Sequence, residues 1–199
     1  RNHLGVLMGI SGRTVVDEYP RYKIYKASDY ARFSEDYKRY EFQKKNFLYN
    51  YHNIYPTVFF EEETTVDKIV VVEGYKAALW MIQHGFPNTV AIMGSYLSEM
   101  QRALLQRLNV TICILLDNTN SARKGVHDAG LRLYRGSRVQ ICRYPSWCEG
   151  GEQPDDLDTE DLNRAINKAE DYNRWRRKYE HSRSYKKTQR GRKKPPPPL

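Results

Sequence analysis

The sequence predicts an α/β protein built on a parallel sheet flanked by helices, and three observations carry that prediction. The run Ile69-Val70-Val71-Val72 is short, β-branched and free of alternation, as a strand covered on both faces should be. It ends on Glu73 and Gly74, and a helical apolar pattern (Tyr75, Ala78, Leu79, Ile82) follows at once. The same strand-turn-helix order recurs at Val110–Leu116, which ends on Asp117, passes through Asn118-Thr119-Asn120-Ser121 and enters a helical stretch from Lys124 to Tyr134.

In open parallel sheets, ligands bind beyond the carboxyl ends of the strands. Glu73 and Asp117 both fall there. Either carboxylate could serve only as a helix cap or a solvated turn residue. Two of them on matching units suggest a shared acidic cleft, able to hold a metal or exchange a proton.

The remaining elements follow in order. Residues 1–60 form an N-terminal basic lobe, β-rich at first (Val6–Ile10, Arg13–Val16) and mixed or helical later. A polar break at 61–65 precedes the α/β unit of residues 66–145. His84-Gly85-Phe86-Pro87-Asn88 supplies glycine and proline as stop signals for its first helix. Ser98 and Gln101 are spaced as a capping box for a helix through Leu108. Val139–Cys142 is a further strand. Residues 146–173 hold an acidic turn and a last helix, capped by Thr159, with Glu160 and Asp161 in its first turn.

Charge is unevenly distributed. The net +9 comes from residues 174–199, where eleven Lys or Arg stand against Glu180 alone; the first 173 residues are close to neutral at −1. This segment, with Arg174, Arg176, Arg177 and Lys178 at its start, is expected to be a basic tail, disordered beyond about Tyr179, that contacts nucleic acid through phosphate charge. A solvated tail, or one docking to another protein, is the alternative. Between Pro20 and Asn46 lie eight Lys or Arg and four acids, interleaved with tyrosines. Aromatic faces and cations in that mixture suit a single strand of nucleic acid, although tyrosines also pack small lobes.

Cys113, Cys142 and Cys148 show no zinc spacing, and Cys113 sits in a buried-strand pattern; a reduced, cytoplasmic protein without disulfides is expected. No apolar run reaches membrane-spanning length, and no membrane partner is expected. The five histidines form no metal spacing and are expected at the surface or at helix ends. The chain opens on Arg1, as a fragment or processed product would. A Walker-type glycine loop and a Gly-x-Ser-x-Gly elbow are both absent from the sequence.

Several segments, in order, resemble a known family. Val71-Val72-Glu73-Gly74-Tyr75, Thr89 to Ser98, and Leu115-Leu116-Asp117-Asn118-Thr119-Asn120-Ser121-Ala122-Arg123-Lys124-Gly125 resemble a Toprim domain, and more narrowly that of DnaG-type bacterial and phage primases. Gly9 to Val15 resembles the Gly-Arg hairpin of the primase polymerase core. Pro20-Arg21-Tyr22-Lys23 and Phe42 to Asn50 resemble its basic segments, and Glu152-Gln153-Pro154-Asp155-Asp156-Leu157 its Asp-Pro-Asp turn. The resemblance covers residues 4–170 and implies a Toprim-type sheet behind a mixed α+β basic lobe.

It also implies template-directed synthesis of RNA primers from NTPs on single-stranded DNA, with Mg²⁺ or Mn²⁺. In that picture Glu73 is the catalytic or metal-side carboxylate, and Asp117, Asp155 and Asp156 are metal ligands. Arg13, Arg21, Lys23, Lys44 and Lys45 bind nucleotide or template. The family's zinc-binding domain has no counterpart in this chain, so a separate zinc-binding domain and a replicative helicase are the implied partners. The compact, divergent motifs suggest a phage origin and hence the host cytoplasm.

Three family acids are replaced, by Ala77, Thr119 and Gln153. The reduced set supports one metal ion more readily than the two that a symmetric clamp needs. These departures motivate an alternative, a degenerate, non-catalytic Toprim protein that binds single-stranded DNA or a replication partner. A Toprim nuclease is a third reading, against which the primase-like upstream segments count.

Overall fold

The structure, a computed structural model, describes residues 1–16, 19, 22–26, 42–61 and 66–182. Arg21, Tyr30, Tyr37, Tyr40 and the basic residues from Arg183 onward lie outside the described residues. Two sheets are present. Strands β1 (Gly9–Arg13) and β2 (Tyr22–Lys26) form an antiparallel pair in which Gly12 faces Lys23. The strand expected at Arg13–Val16 does not form. Val15 there is fully exposed and its β-branched side chain has no sheet face to cover.

The larger sheet contains β3 (Lys68–Val72), β4 (Thr89–Ala91), β5 (Thr111–Ile114), β6 (Val139–Ile141) and β7 (Glu170–Asp171) in the order β4-β3-β5-β6-β7. The first four strands are mutually parallel, and β7 joins β6 antiparallel. At the other edge Tyr49 bridges Ala91 of β4, its N–H donating to the Ala91 carbonyl at 3.0 Å. From β3 the chain goes first to β4 on one side, then back past β3 to β5 on the other. This reversal opens a crevice at the carboxyl ends of β3 and β5.

Both faces of the sheet are covered, which explains the unbroken apolar runs. Ile69, Val71, Ile112 and Ile114 pack with Tyr51 and Ile54 of α1 (Tyr51–Phe60), Leu105 of α3 (Glu99–Arg107) and Val126 and Leu133 of α4 (Asn120–Leu133). Val70, Val72, Cys113 and Leu115 pack on the other side with Ala77, Ala78 and Met81 of α2 (Tyr75–Gln83) and Leu162 and Ile166 of α5 (Thr159–Asn167). Leu48, Tyr51, Ile54 and Tyr55 thus belong to the sheet's own core, and the boundary expected near residues 60–66 runs through one packed unit.

Local signals set most boundaries. Gly85 takes φ +89 where α2 stops. Ser98 and Gln101 form the capping box of α3, the Ser98 hydroxyl accepting from the Gln101 N–H at 3.1 Å. Helix α4 begins at Asn120, earlier than expected, because the Thr119 hydroxyl accepts from the Ala122 N–H at 3.0 Å and starts the helix there. Asp158, not Thr159, caps α5, accepting from the Asp161 N–H at 2.8 Å. Leu79, expected on the buried face of α2, is 47% exposed and lines a cavity toward β1.

The basic segment begins in a helix. Arg174, Arg176, Arg177 and Lys178 lie in helix α6 (Tyr172–His181). Tyr172, Trp175 and Tyr179, three and four residues apart, give that helix an apolar face. Tyr172 is buried in the core and Trp175 stacks on Tyr179 with ring centroids 4.9 Å apart. His127, expected at the surface, is buried under this helix, its Nε2 3.2 Å from Glu180 Oε1. His84 does sit at a helix end, stacked on Trp80.

Candidate active site

The crevice between β3 and β5 collects the acidic residues. Continuing the register Val71↔Ile114 sets Glu73 level with Leu116, one step before Asp117. Glu73 is held through its backbone, since the Met93 N–H donates to the Glu73 carbonyl at 2.8 Å. Met93 itself is at φ +61, a left-handed conformation that costs a side-chain-bearing residue roughly 1–2 kcal/mol. The pairing with Glu73 and the burial of Met93 hold it there. Gly74, at φ −112, has a backbone conformation open to any residue, and a Cβ there would meet nothing within 4 Å. The glycine leaves open space beside Glu73.

Asp155 reaches the same crevice from a distant part of the chain. A single 3₁₀ turn, Pro154–Asp156, packs on α2, and the Trp80 indole N–H donates to the Leu157 carbonyl at 2.9 Å. Asn118, next to Asp117, fixes the approach to that turn. Its N–H donates to the Glu152 carbonyl at 2.7 Å, its carbonyl accepts from the Gly151 N–H at 2.7 Å, and its side-chain amide donates to Glu152 Oε2 at 2.7 Å. Gly150 and Gly151, at φ +127 and +103, let the loop fold back so that Glu152 also accepts from the Gly150 N–H. Gly125, matched to a small family residue, lets α4 approach the Ser95 carbonyl, 3.0 Å from where a Cβ would sit.

The electrostatics identify a crowded acidic group. Burial, then the charge of Asp117, raises the Glu73 carboxyl above its ordinary value. Burial, then Asp155 and Asp156, raises Asp117. The Asp155 side chain is only 1% exposed, and neither of its oxygens has a hydrogen-bond partner. One cation faces it: Lys76 Nζ stands 2.5 Å from Asp155 Oδ2, a contact without hydrogen-bond alignment. The Tyr144 hydroxyl is buried without a partner as well, and burial followed by the Asp117 charge pushes its pKa up. Asp156 is exposed and accepts from the Gln153 N–H at 2.7 Å, so it closes its own turn. Thr119, where the family has an acid, is committed to the cap of α4.

The expected basic residues are placed unequally. Arg13 lines a cavity of about 470 Å³ between β1 and α2 that Tyr49, Tyr75, Lys76 and Trp80 also border. Lys44 and Lys45 are exposed on a 3₁₀ turn, Lys44–Asn46. That turn is indexed to the sheet by the buried Gln101 amide, which donates to Phe47 and Ile92 carbonyls at 2.8 Å each and to the Lys44 carbonyl at 3.2 Å. Lys23 lies over the Tyr25 ring at 5.0 Å, on the hairpin. In α6, Arg174 and Lys178 pair with Glu170, and Arg176 pairs with Glu180, so three of the four cations named at the start of the basic segment are paired within the chain.

Lys76, Asn118, Glu152 and Tyr144 were missed by sequence reasoning. Lys76 had one signal, a cation three residues after Glu73 at the start of a helix, and so on the same side of the turn. The other three have meaning only once the loop at 149–153 folds back.

An open α/β sheet with carboxylates gathered at its topological switch point defines the class, a Toprim-type fold. No family model matches the chain. DNA primases of Staphylococcus epidermidis and Deinococcus radiodurans are similar to it, 27% identical over 157 residues and 30% over 141. These alignments cover 78% and 71% of this chain but 23% and 22% of the relatives, so the chain spans less than a quarter of their length. Among solved structures, the zinc-binding and RNA polymerase domains of the Aquifex aeolicus primase superpose with a TM-score of 0.70 at 24% identity, covering 95% of this chain and 43% of that one. The DnaG primase catalytic domain bound to ssDNA gives 0.66 at 22% identity, covering 91% and 53%. By sequence the chain is thus similar to DNA primases over most of its own length, and it shares the fold of the DnaG catalytic core, as its motifs suggested.

The donor set can be tested for the divalent ion that this fold family implies. A buried carboxylate whose oxygens accept no hydrogen bond among the described residues, one of them facing the Lys76 ammonium, together with Asp117, fits a hard, oxygen-liganded cation. No group of three His, Cys, Asp or Glu among the described residues converges closely enough to enclose an ion alone. The set therefore suits one Mg²⁺ completed by water and phosphate, not a two-ion clamp.

Proposed function

We propose that the chain is the catalytic core of a DNA primase, making RNA primers from ribonucleoside triphosphates on a single-stranded DNA template during replication. It is thus a nucleotidyltransferase and acts in the cytoplasm. One observation carries the reading. In a relative of the DNA primases, Glu73 and Asp117 end the two strands that flank the switch point, and Asn118 ties Asp155 to them. A bound Mg²⁺ or Mn²⁺ would draw charge from the triphosphate, with Asp155 and Asp117 as its holders. Glu73, raised by burial, is suited to hold or accept a proton at the carboxyl edge of β3. Arg13, with Lys44 and Lys45 on their fixed turn, neutralises phosphate charge. Template contact belongs to the N-terminal lobe, including Lys23, and to the cations of α6 that remain exposed. A separate zinc-binding domain and a helicase are the protein partners of this reading.

The test is direct. The chain is incubated with single-stranded templates, radiolabelled ribonucleotides and Mg²⁺ or Mn²⁺, with a zinc-binding domain of the family supplied in trans. Short RNA products that vanish with Glu73→Gln support the proposal. Equal product from wild type and Glu73→Gln removes the assigned role of Glu73. Tight, salt-sensitive binding to single strands without any product overturns polymerase activity.

A further inference from the structure

Lys76 and Asp155 are an unequal pair. The lysine side chain is 56% exposed, on the outer side of the first turn of α2; the aspartate is almost wholly enclosed. An ionised carboxylate buried without a partner costs several kcal/mol. Across the crevice it faces another acid, Asp117, whose carboxyl the Asp155 charge helps to raise. Lys76 alone among the described residues forms an ion pair with Asp155. The lysine reaches in on a flexible four-carbon stem and brings no acceptor of its own.

We propose that Lys76 is a resident counter-ion of the acidic crevice: its ammonium occupies Asp155 in the free chain, and a divalent cation gains Asp155 by displacing it. The inference rests on reading Glu73, Asp117 and Asp155 as the ion-holding set. Lys76 also lines the cavity shared with Arg13, so its displaced ammonium lies where an incoming polyphosphate would find a cation. An anion that draws Lys76 away from Asp155 frees the carboxylate for the metal. Metal and polyphosphate binding are then mutually reinforcing, by the reciprocity that linkage requires. The lysine thereby stands in for one of the charges that Ala77, Thr119 and Gln153 no longer help to bind.

Mn²⁺ titration followed by the loss of its free-ion EPR signal tests this without any turnover. Lys76→Met is expected to bind Mn²⁺ about tenfold more tightly than wild type, the scale of removing one competing, partly exposed charge. Lys76→Arg should match wild type. In an Asp155→Asn background the Lys76→Met gain should disappear. Added inorganic triphosphate should tighten Mn²⁺ binding to wild type more than to Lys76→Met, after correction for binding of the ion by triphosphate itself. Equal Mn²⁺ affinities for wild type and Lys76→Met, with unchanged circular dichroism, overturn the proposal, as does a gain that persists without Asp155. A Lys76→Met gain in a chain that makes no primers would overturn only the polymerase reading; primers without that gain would overturn only the counter-ion.

Discussion

Gly130 of α4 lies against the ring of Tyr172, so close that a β-carbon on the glycine would clash with the ring's Cε2, Cδ2 and Cζ. The Tyr172 hydroxyl completes the contact by donating to the His127 carbonyl at 3.2 Å. This is where α6 is joined to the core. Gly130→Ala is expected to lose about 1–3 kcal/mol by overpacking, despite the better helix propensity of alanine. Urea unfolding checks it, and a neutral or stabilising result would show that α6 can shift away freely.

Stability should depend on pH through the crevice. Both Glu73 and Asp117 have folded pKa values above the ordinary 4.5 and 3.8. Between those values and the raised ones the folded state holds more protons than the unfolded state. Stability therefore falls as pH rises through that window, and the full penalty is present above it. In chelator at pH 7, Glu73→Gln and Asp117→Asn are expected to raise Tm, and the gain should fade as pH drops below about 4. A lowered Tm at pH 7 would mean that these carboxylates are not in electrostatic conflict.

The tether between Asn118 and Glu152 should be sensitive to charge. Asn118→Asp replaces an amide donor with a carboxylate facing Glu152, whose pKa that hydrogen bond now lowers. The loop at 149–153 is expected to open and stability to fall. Hydrogen exchange of the Gly151 amide, now bonded to the Asn118 carbonyl, should accelerate selectively.

Gly74 offers a separation of fold from function. A Cβ at this position meets no atom and its φ suits any residue, so Gly74→Ser should leave stability within about 0.5 kcal/mol of wild type. Reduced primer synthesis in a stable Gly74→Ser chain would place a substrate against this backbone. Full activity would show that the space is only solvent.

At the end of α3, Asn109 is exposed at φ +53. Asn109→Gly is expected to stabilise by about 0.4–1 kcal/mol, and Asn109→Ala to destabilise by a similar amount. Thermal unfolding of the two variants should bracket the wild type.

The sheet was legible where burial dictates composition. Strands β3 and β5 are covered on both faces, so their sequences are continuous apolar runs that end on the acids they present. The Ser98–Gln101 cap was legible because its chemistry is local. Helix α6 was not, because six Lys, Arg, Glu or His side chains among its ten residues obscure the spacing of Tyr172, Trp175 and Tyr179. Within the site, Glu73 and Asp117 could be paired from their matching units. The Lys76–Asp155 contact and the Asn118–Glu152 tether join segments far apart in the chain, and no periodicity encodes such a meeting.

The two edges of the large sheet have a colloidal consequence. Tyr49 bridges the outer side of β4 and the two-residue β7 lies along β6, so each end of the ladder is partly occupied by the chain's own backbone. Exposed ladder ends are where sheets of different molecules fuse. Short antiparallel closures of this kind leave little template for a second copy. On the proposed function, copies of this cationic chain held at high local concentration along a polyanion would then crowd without their sheets joining end to end.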